Sequence, residues 1–288
     1  MSEARPAPNA EQIEYWNASA SAKWIDHNAD LDARIGPLGR LALDRAAPRP
    51  GERVLDVGCG CGATSLELAE RVGPEGAVLG VDVSAPMLEL ARRRAAEAEL
   101  GCLRFEQADA QVCAFPPGAF DAAVSRFGVM FFEDPTSAFS NLRRGLRPGG
   151  RLAFVCWRPL PDNPWAGLPF QAVTGVVGAP PPPEPGAPGP FSLADGDRVR
   201  AILDGAGFDE IAVEPRDAEI DLAGGGGLDA ATHFAAVVGP ASRLLADVDE
   251  AARSRAAEAV RSALEPHVAG DRVPLAAAVW LVSATNPG

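Results

Sequence analysis

With 288 residues, 47% of them hydrophobic and 23% charged, the chain has the length and apolar content for a substantial core, and one elaborated α/β domain is the simplest count. A formal net charge of -13 argues against nucleic acid or an anionic membrane as partner, since both require concentrated basic surface. No membrane-length apolar run and no basic-then-apolar leader occur in the sequence, so a cytoplasmic protein is expected. Cys59, Cys61, Cys102, Cys113 and Cys156 fit reduced thiols, and one residue between Cys59 and Cys61, with no second Cys/His pair, is not a zinc spacing, so no metal is expected.

Residues 1–50 read as helical, with Tyr15, Trp16 and Trp24 among polar residues and Gly36 and Pro37 as interruptions. From residue 51 to about 157, short apolar runs alternate with amphipathic segments, the pattern of β-α-β units around a parallel sheet. The expected strands are 53–57, 77–83, 103–106, 120–127 and 151–157, with helices between them near 64–71, 87–99 and after Asp134-Pro135. Ser84 is the expected N-cap of the second helix, Pro86 an early helical residue, and the segment RPGG at 147–150 the expected terminator before the fifth strand. The run Arg92-Arg93-Arg94 reads as a solvated helix face. Seven prolines in 180–190 predict an extended, solvated connection. Beyond it come a helix near 195–206, a strand near 210–220, amphipathic stretches at 228–245 and 248–264, and a last strand near 274–283. The sum is a doubly wound, seven-stranded, mostly parallel α/β sheet of Rossmann-like type with helical lid elements.

The run Asp56-Val57-Gly58-Cys59-Gly60-Cys61-Gly62 leaves the first strand. Glycines there allow a tight turn and a close ligand approach, and the next helix points its positive end at the loop. The spacing is shared: Gly58, Gly60 and Ala63 also satisfy the dinucleotide pattern, with Asp82 near the place of a ribose-binding acid. Asp56 helps separate the readings, because a carboxylate beside the loop would repel a pyrophosphate and attract the ammonium of S-adenosylmethionine (SAM), which carries no phosphate.

The ordered segments VLDVGCGCG, GVDVS, QADAQ, FDAAVSRFGVMFF and LRPGGRLAF resemble the motifs of class I SAM-dependent methyltransferases, in the small-molecule branch that includes ubiquinone/menaquinone-biosynthesis C-methyltransferases. The resemblance covers residues 51–157 and extends only loosely into the flanks. It implies that Asp56, Gly58 and Gly60 hold the methionine part of SAM, with Cys59 between them also at the cofactor, that Gly62 allows close helix packing and that Asp82 accepts the ribose hydroxyls. It also implies that Val83 and Met87 flank the adenine, and that Asp109 and the backbone of Ala110 meet its amino edge. Asp82 as a helix cap, Met87 as core and Asp109 as a loop acid are the rival readings; Ser84, as cap, disfavours the first.

Ser125 and Arg126 end the fourth strand, where an open α/β sheet places its working residues, and are expected beside the cofactor. Arg126 has two readings: a partner for an acidic acceptor, or for an internal carboxylate. Phe127, Met130, Phe131 and Phe132 read as core packing or, with Tyr15, as acceptor pocket. In relatives an amino-terminal aromatic segment covers the cofactor, so Trp16 and Trp24 are expected over it, where an aromatic face would also favour a sulfonium. The division expected is therefore a helical lid segment at 1–50 and a SAM-binding domain at 51–288, with a lid insert at 163–191 and lid helices at 228–266. Of His27, His233 and His267, His233 is the candidate general base. The function expected is methyl transfer to a small, partly apolar metabolite, at O, N or C. The alternatives are another SAM-dependent reaction such as cyclisation or decarboxylation, nicotinamide-dependent oxidation, and a non-catalytic binding module. The sequence leaves the acceptor and the oligomeric state open.

Overall fold

In chain order, the computed structural model shows α1 (Ala10–Asn17), α2 (Ser19–Asp26), α3 (Asn28–Ala46), β1 (Arg53–Val57), α4 (Ala63–Val72), β2 (Ala77–Asp82), α5 (Ala85–Glu97) and β3 (Leu103–Gln107). There follow β4 (Phe120–Arg126), α6 (Pro135–Gly145), β5 (Leu146–Trp157), α7 (Pro164–Val177), α8 (Gly196–Gly205) and β6 (Asp209–Asp221). The chain ends with α9 (Gly227–Val237), α10 (Pro240–Leu244), α11 (Glu250–Leu264) and β7 (Pro274–Thr285). The structure describes residues 8–246 and 248–288; residues 1–7 of the expected amino-terminal segment, with the leader reading, and Asp247 of the 228–266 segment lie outside the described residues.

The strands form one sheet in the order β3-β2-β1-β4-β5-β7-β6. The first five are parallel, and β7 runs antiparallel to both β5 and β6. The chain moves outward from β1 to β3, then crosses back to place β4 on the other side of β1. This reversal opens a crevice at the carboxyl ends of β1 and β4, where open α/β sheets bind ligands. Both faces of the central strands are covered, so Val54, Leu55, Val124, Ala153 and Phe154 are wholly buried.

α3 is continuous through Gly36 and Pro37, where the sequence suggests an interruption. A mid-helix proline costs about 3 kcal/mol, and the buried face of Leu31, Ile35, Leu38, Ala42 and Leu43 offsets it by packing on the sheet. The Arg151 Nε donating to Ala46 O at 2.7 Å ties its end to β5. α3 is thus a layer of the domain, and the expected cover at 1–50 narrows to α1 and α2. The stretch 228–245 is two helices, because Gly239 at φ 87 followed by Pro240 ends one and starts the other. β5 begins at Leu146, so the RPGG segment lies inside the strand, with a register shift opposite Phe120 to Ala122. In the proline segment, Pro181–Pro185 are exposed as expected, but Gly189 is buried and donates to Met130 O at 3.0 Å. α7, α9, α10 and α11 pack together beside the crevice. Among the described residues no helix is long and apolar enough to cross a membrane.

Candidate active site

The glycine loop is shaped by contact as much as by torsion. Gly58, Gly60 and Gly62 have φ of 68°, 53° and 84°. A Cβ on Gly58 would lie 2.7 Å from Gly128 Cα, and one on Gly128 would lie 2.7 Å from Val57 O, so the ends of β1 and β4 close on each other backbone to backbone. Ser125 Oγ reinforces that closure, donating to Val57 O at 2.7 Å and accepting from Gly128 N at 3.2 Å. Phe127, next in line, has φ 63° and stacks on Trp157 at 4.2 Å. A bulky residue in the left-handed region is uncommon, and the stack holds it there.

The loop's N–H groups are largely occupied. Gly58 and Cys59 donate to Val81 O, Gly62 to Cys59 O, and Gly60 to Asp82 Oδ2 at 2.8 Å. A pyrophosphate would find few donors here, which separates the two cofactor readings better than the charge on Asp56 does. Asp82 also accepts from Ser84 N at 2.9 Å through Oδ1. Its carboxylate accepts about four hydrogen bonds, so both oxygens keep a lone pair in the half-buried position where Asp82 lines the crevice. Burial raises its pKa, and the backbone N–H groups of Ser84 and Gly60 oppose that.

Ser84 does not cap α5 through its side chain: its Oγ is buried without a partner among the described residues. Asn17 of α1 serves the helix end instead, with Oδ1 accepting from Ala85 N at 3.0 Å and Nδ2 donating to Val83 O at 2.9 Å. The local contact of Asp82 with Ser84 therefore coexists with its place on the wall.

A cavity of about 180 Å³ extends from this crevice under α1 and α2. Its wall includes the expected Gly58, Cys59, Gly60, Asp82, Val83 and Met87. Asp109, Ala110 and Arg126 lie on it as well. So do Trp16, Trp24, Phe127, Met130 and Phe131. Trp16 meets Trp24 and Phe131 edge to face at 5.8 and 5.0 Å.

Four expected residues stand elsewhere. Asp56 is 1% exposed and points away from the wall, because successive strand residues face opposite ways. Its Oδ2 accepts from Ser65 Oγ at 2.6 Å, its Oδ1 has no partner among the described residues, and burial pushes its pKa up to about 6. Ser125 is buried in the β1–β4 closure and does not line the cavity. His233 is exposed, with its ring 5.7 Å from that of His27; its neighbour Phe234 faces the cavity instead. Tyr15 points out of the cavity toward α10, where its hydroxyl accepts from Arg243 Nε at 3.1 Å.

The structure adds wall residues that the sequence did not single out: Asn9, Gln12, Asp32 and Arg34 from the first helices and their N-cap, Trp157 from the end of β5, Trp165 from α7, Phe191 from the turn before α8 and Phe234 from α9. Asn9 Nδ2 donates to both Asp109 oxygens at 2.9 and 3.0 Å, its N donates to Glu133 Oε2 at 2.8 Å, and its Oδ1 accepts from Glu133 N at 2.7 Å. Asp109 Oδ1 also accepts from Gln111 N at 2.9 Å, so Oδ2 is the oxygen with room for another donor. Arg34 stacks over Phe234 at 4.2 Å and donates to Leu222 O and Asp30. No periodic pattern marks these positions, because helix packing against the sheet brings them in.

The environment of the thiols on the wall disfavours the thiolate. Burial and nearby carboxylates push Cys59 well up, and burial pushes Cys61 up to about 12. Among the described residues no cluster suited to a metal ion occurs.

Residues 54–150 match the family described as methyltransferase domain. Nocamycin O-methyltransferase of Saccharothrix syringae is 40% identical over 144 residues, which is 50% of this chain and 51% of that protein. Demethylmenaquinone methyltransferase of Thermus thermophilus is 43% identical over 139 residues, 48% of this chain and 60% of that protein. The chain thus spans about half to three fifths of the length of the curated relatives it matches. Among solved structures, the [4+2]-cyclase SpnF superposes with a TM-score of 0.54 at 23% identity, over 88% of this chain and 82% of that one. That likeness shows the fold alone, and a fold alone does not decide a reaction.

Proposed function

We propose that the chain is a SAM-dependent methyltransferase acting on a small, partly apolar metabolite. The observation that carries this reading is Asp82, a carboxylate with open lone pairs at the end of β2, beside a glycine loop whose N–H groups are largely taken. Ribose hydroxyls fit such an acceptor and a pyrophosphate does not fit such a loop. Val83 and Met87 offer apolar faces for an adenine, and Asp109 Oδ2 offers its amino edge an acceptor. O-methyl transfer by one relative and demethylmenaquinone methylation by another, as their names state, agree with an acceptor of this class.

SAM, when bound, supplies a methyl carbon activated by sulfonium; the acceptor's electron pair forms the new bond as the carbon–sulfur pair returns to sulfur. The chain's own task is positioning and exclusion of water. Trp16, Phe127, Phe131, Trp157 and Phe234 make the apolar chamber, which orients a flat or hydrophobic acceptor by its faces. α1 and α2 serve as the lid, pinned by Asn9 at the end of β3 and by Asn17 at the start of α5. The wall holds no histidine or tyrosine among the described residues, so the reading favours an acceptor that is ionised or nucleophilic by itself. Free thiols and the absence of a membrane-length apolar helix among the described residues suit a cytoplasmic enzyme.

Calorimetry with SAM beside NAD tests the cofactor: SAM should bind, and binding by NAD alone would overturn the reading. With an acceptor panel, S-adenosylhomocysteine should form in step with product. SAM binding with product but no S-adenosylhomocysteine would instead establish a reaction such as cyclisation.

A further inference from the structure

Across the crevice the strand ends run in the order β3, β2, β1, β4. If the adenine meets Asp109 after β3 and the ribose meets Asp82 after β2, the remaining amino-acid end of SAM lies over the loop after β1 and reaches the end of β4. This inference rests on the cofactor assignment above.

The residues at that end form a cluster of opposite charges on the wall. Arg126, the last residue of β4, directs Nη1 at Asp32 Oδ1 of α3, 3.0 Å away. Asp32 Oδ2 lies 3.1 Å from Arg94 Nη1 of α5, and that same nitrogen donates to Cys61 O in the glycine loop. Asp32 and Arg126 line the cavity and Arg94 does not. Asp32 Oδ2 is buried and makes no hydrogen bond of good geometry among the described residues. The guanidinium of Arg126 carries five N–H donors, of which those on Nη1 alone have a protein partner among the described residues. The Arg126 stem is also fixed: a Cβ on Gly39 would fall 2.6 Å from its Cδ, so α3 approaches closely only because Gly39 leaves that space.

We propose that Asp32 and Arg126 are a paired clamp for the zwitterion of the cofactor's methionine, Arg126 taking the α-carboxylate and Asp32 the α-ammonium. An α-amino acid carries the two charges on adjacent groups, and an ion pair presented edge-on to a cavity offers the complementary two. Asp56 cannot take the ammonium because it faces away from the cavity, whereas Asp32 is on the wall. The clamp residue Asp32 comes from a helix outside the matched segment 54–150. This part of cofactor recognition therefore lies in α3, upstream of the glycine loop.

The test is isothermal calorimetry with three ligands: S-adenosylhomocysteine, 5′-methylthioadenosine, which lacks the amino-acid end, and decarboxylated S-adenosylhomocysteine, which keeps only the amine. Asp32→Asn should weaken S-adenosylhomocysteine at least tenfold and leave 5′-methylthioadenosine within twofold. Arg126→Gln should weaken S-adenosylhomocysteine at least tenfold and leave the decarboxylated ligand within twofold. Unchanged S-adenosylhomocysteine affinity in both variants would overturn the clamp. So would an equal loss of 5′-methylthioadenosine, which would make the pair a structural tie. A wild-type protein that binds none of the three would overturn the cofactor reading itself, and the clamp with it.

Discussion

The crevice at the ends of β1 and β4 and the helical cover above it are held by different forces. In the crevice, glycine backbones touch, Ser125 bridges two strands and Leu55, Val124 and Phe154 are sealed beneath, so movement would break the sheet's own ladder. The cover is attached by side chains: Asn9 to Asp109 and Glu133, Asn17 to Val83 and Ala85, Tyr15 to Arg243, and Trp16 by ring edges. Each such tie is worth about 1 kcal/mol net. The difference separates a frame locked by the sheet from a cover held by individually weak ties.

The largest effect should come from the frame. Asp82→Ala removes the acceptor of two loop N–H groups and the expected ribose partner together. SAM affinity measured by calorimetry should fall at least about 100-fold, near 2.7 kcal/mol; a loss under fivefold would show that the frame does not depend on this carboxylate.

Next is Asp56, whose pKa burial pushes up to about 6. A carboxyl raised in the folded state stabilises fully below its unfolded value of about 3.9 and loses that stabilisation as pH rises through the folded value. Relative to Asp56→Asn, the wild type should therefore lose about 2 kcal/mol between pH 4 and pH 7 in denaturant titrations. A constant difference across that range would contradict an ionisable group buried in the frame.

A smaller effect should distinguish the cover. Asn17→Ala should weaken cofactor binding by about tenfold, near 1.4 kcal/mol, and leave the cooperative melting of the sheet within about 0.5 kcal/mol. An equally large loss of global stability would erase the distinction between frame and cover. His233→Ala should change turnover least, by less than about twofold, since the exposed ring is off the cavity wall; a drop of about 100-fold, of the size general-base removal brings, would restore it as a base.

Much of the frame was legible because its chemistry is local. The strand-turn-helix signal, Gly58 and Gly60, and the acids after strand ends, Asp82 and Asp109, each sit in a short local motif, and these four residues lie on the crevice. Asp56 was misplaced for an equally local reason: strand parity turns its carboxylate onto Ser65, and the loop's motif does not reveal which face it takes. His233 and Tyr15 were chosen by residue type on helices whose rotation only packing sets. In α9 that rotation presents Phe234 to the cavity and leaves His233 outside.

What the sequence by itself determined is the order of elements and the shape of the cofactor loop, since glycine torsions and hydrophobic periodicity act over a few residues. The tertiary structure decided the rest of the site. Asn9 reaches Asp109 across 100 positions of chain and Asp32 reaches Arg126 across 94. Contacts so distant in sequence leave no local pattern and arise only when helices close over a finished sheet.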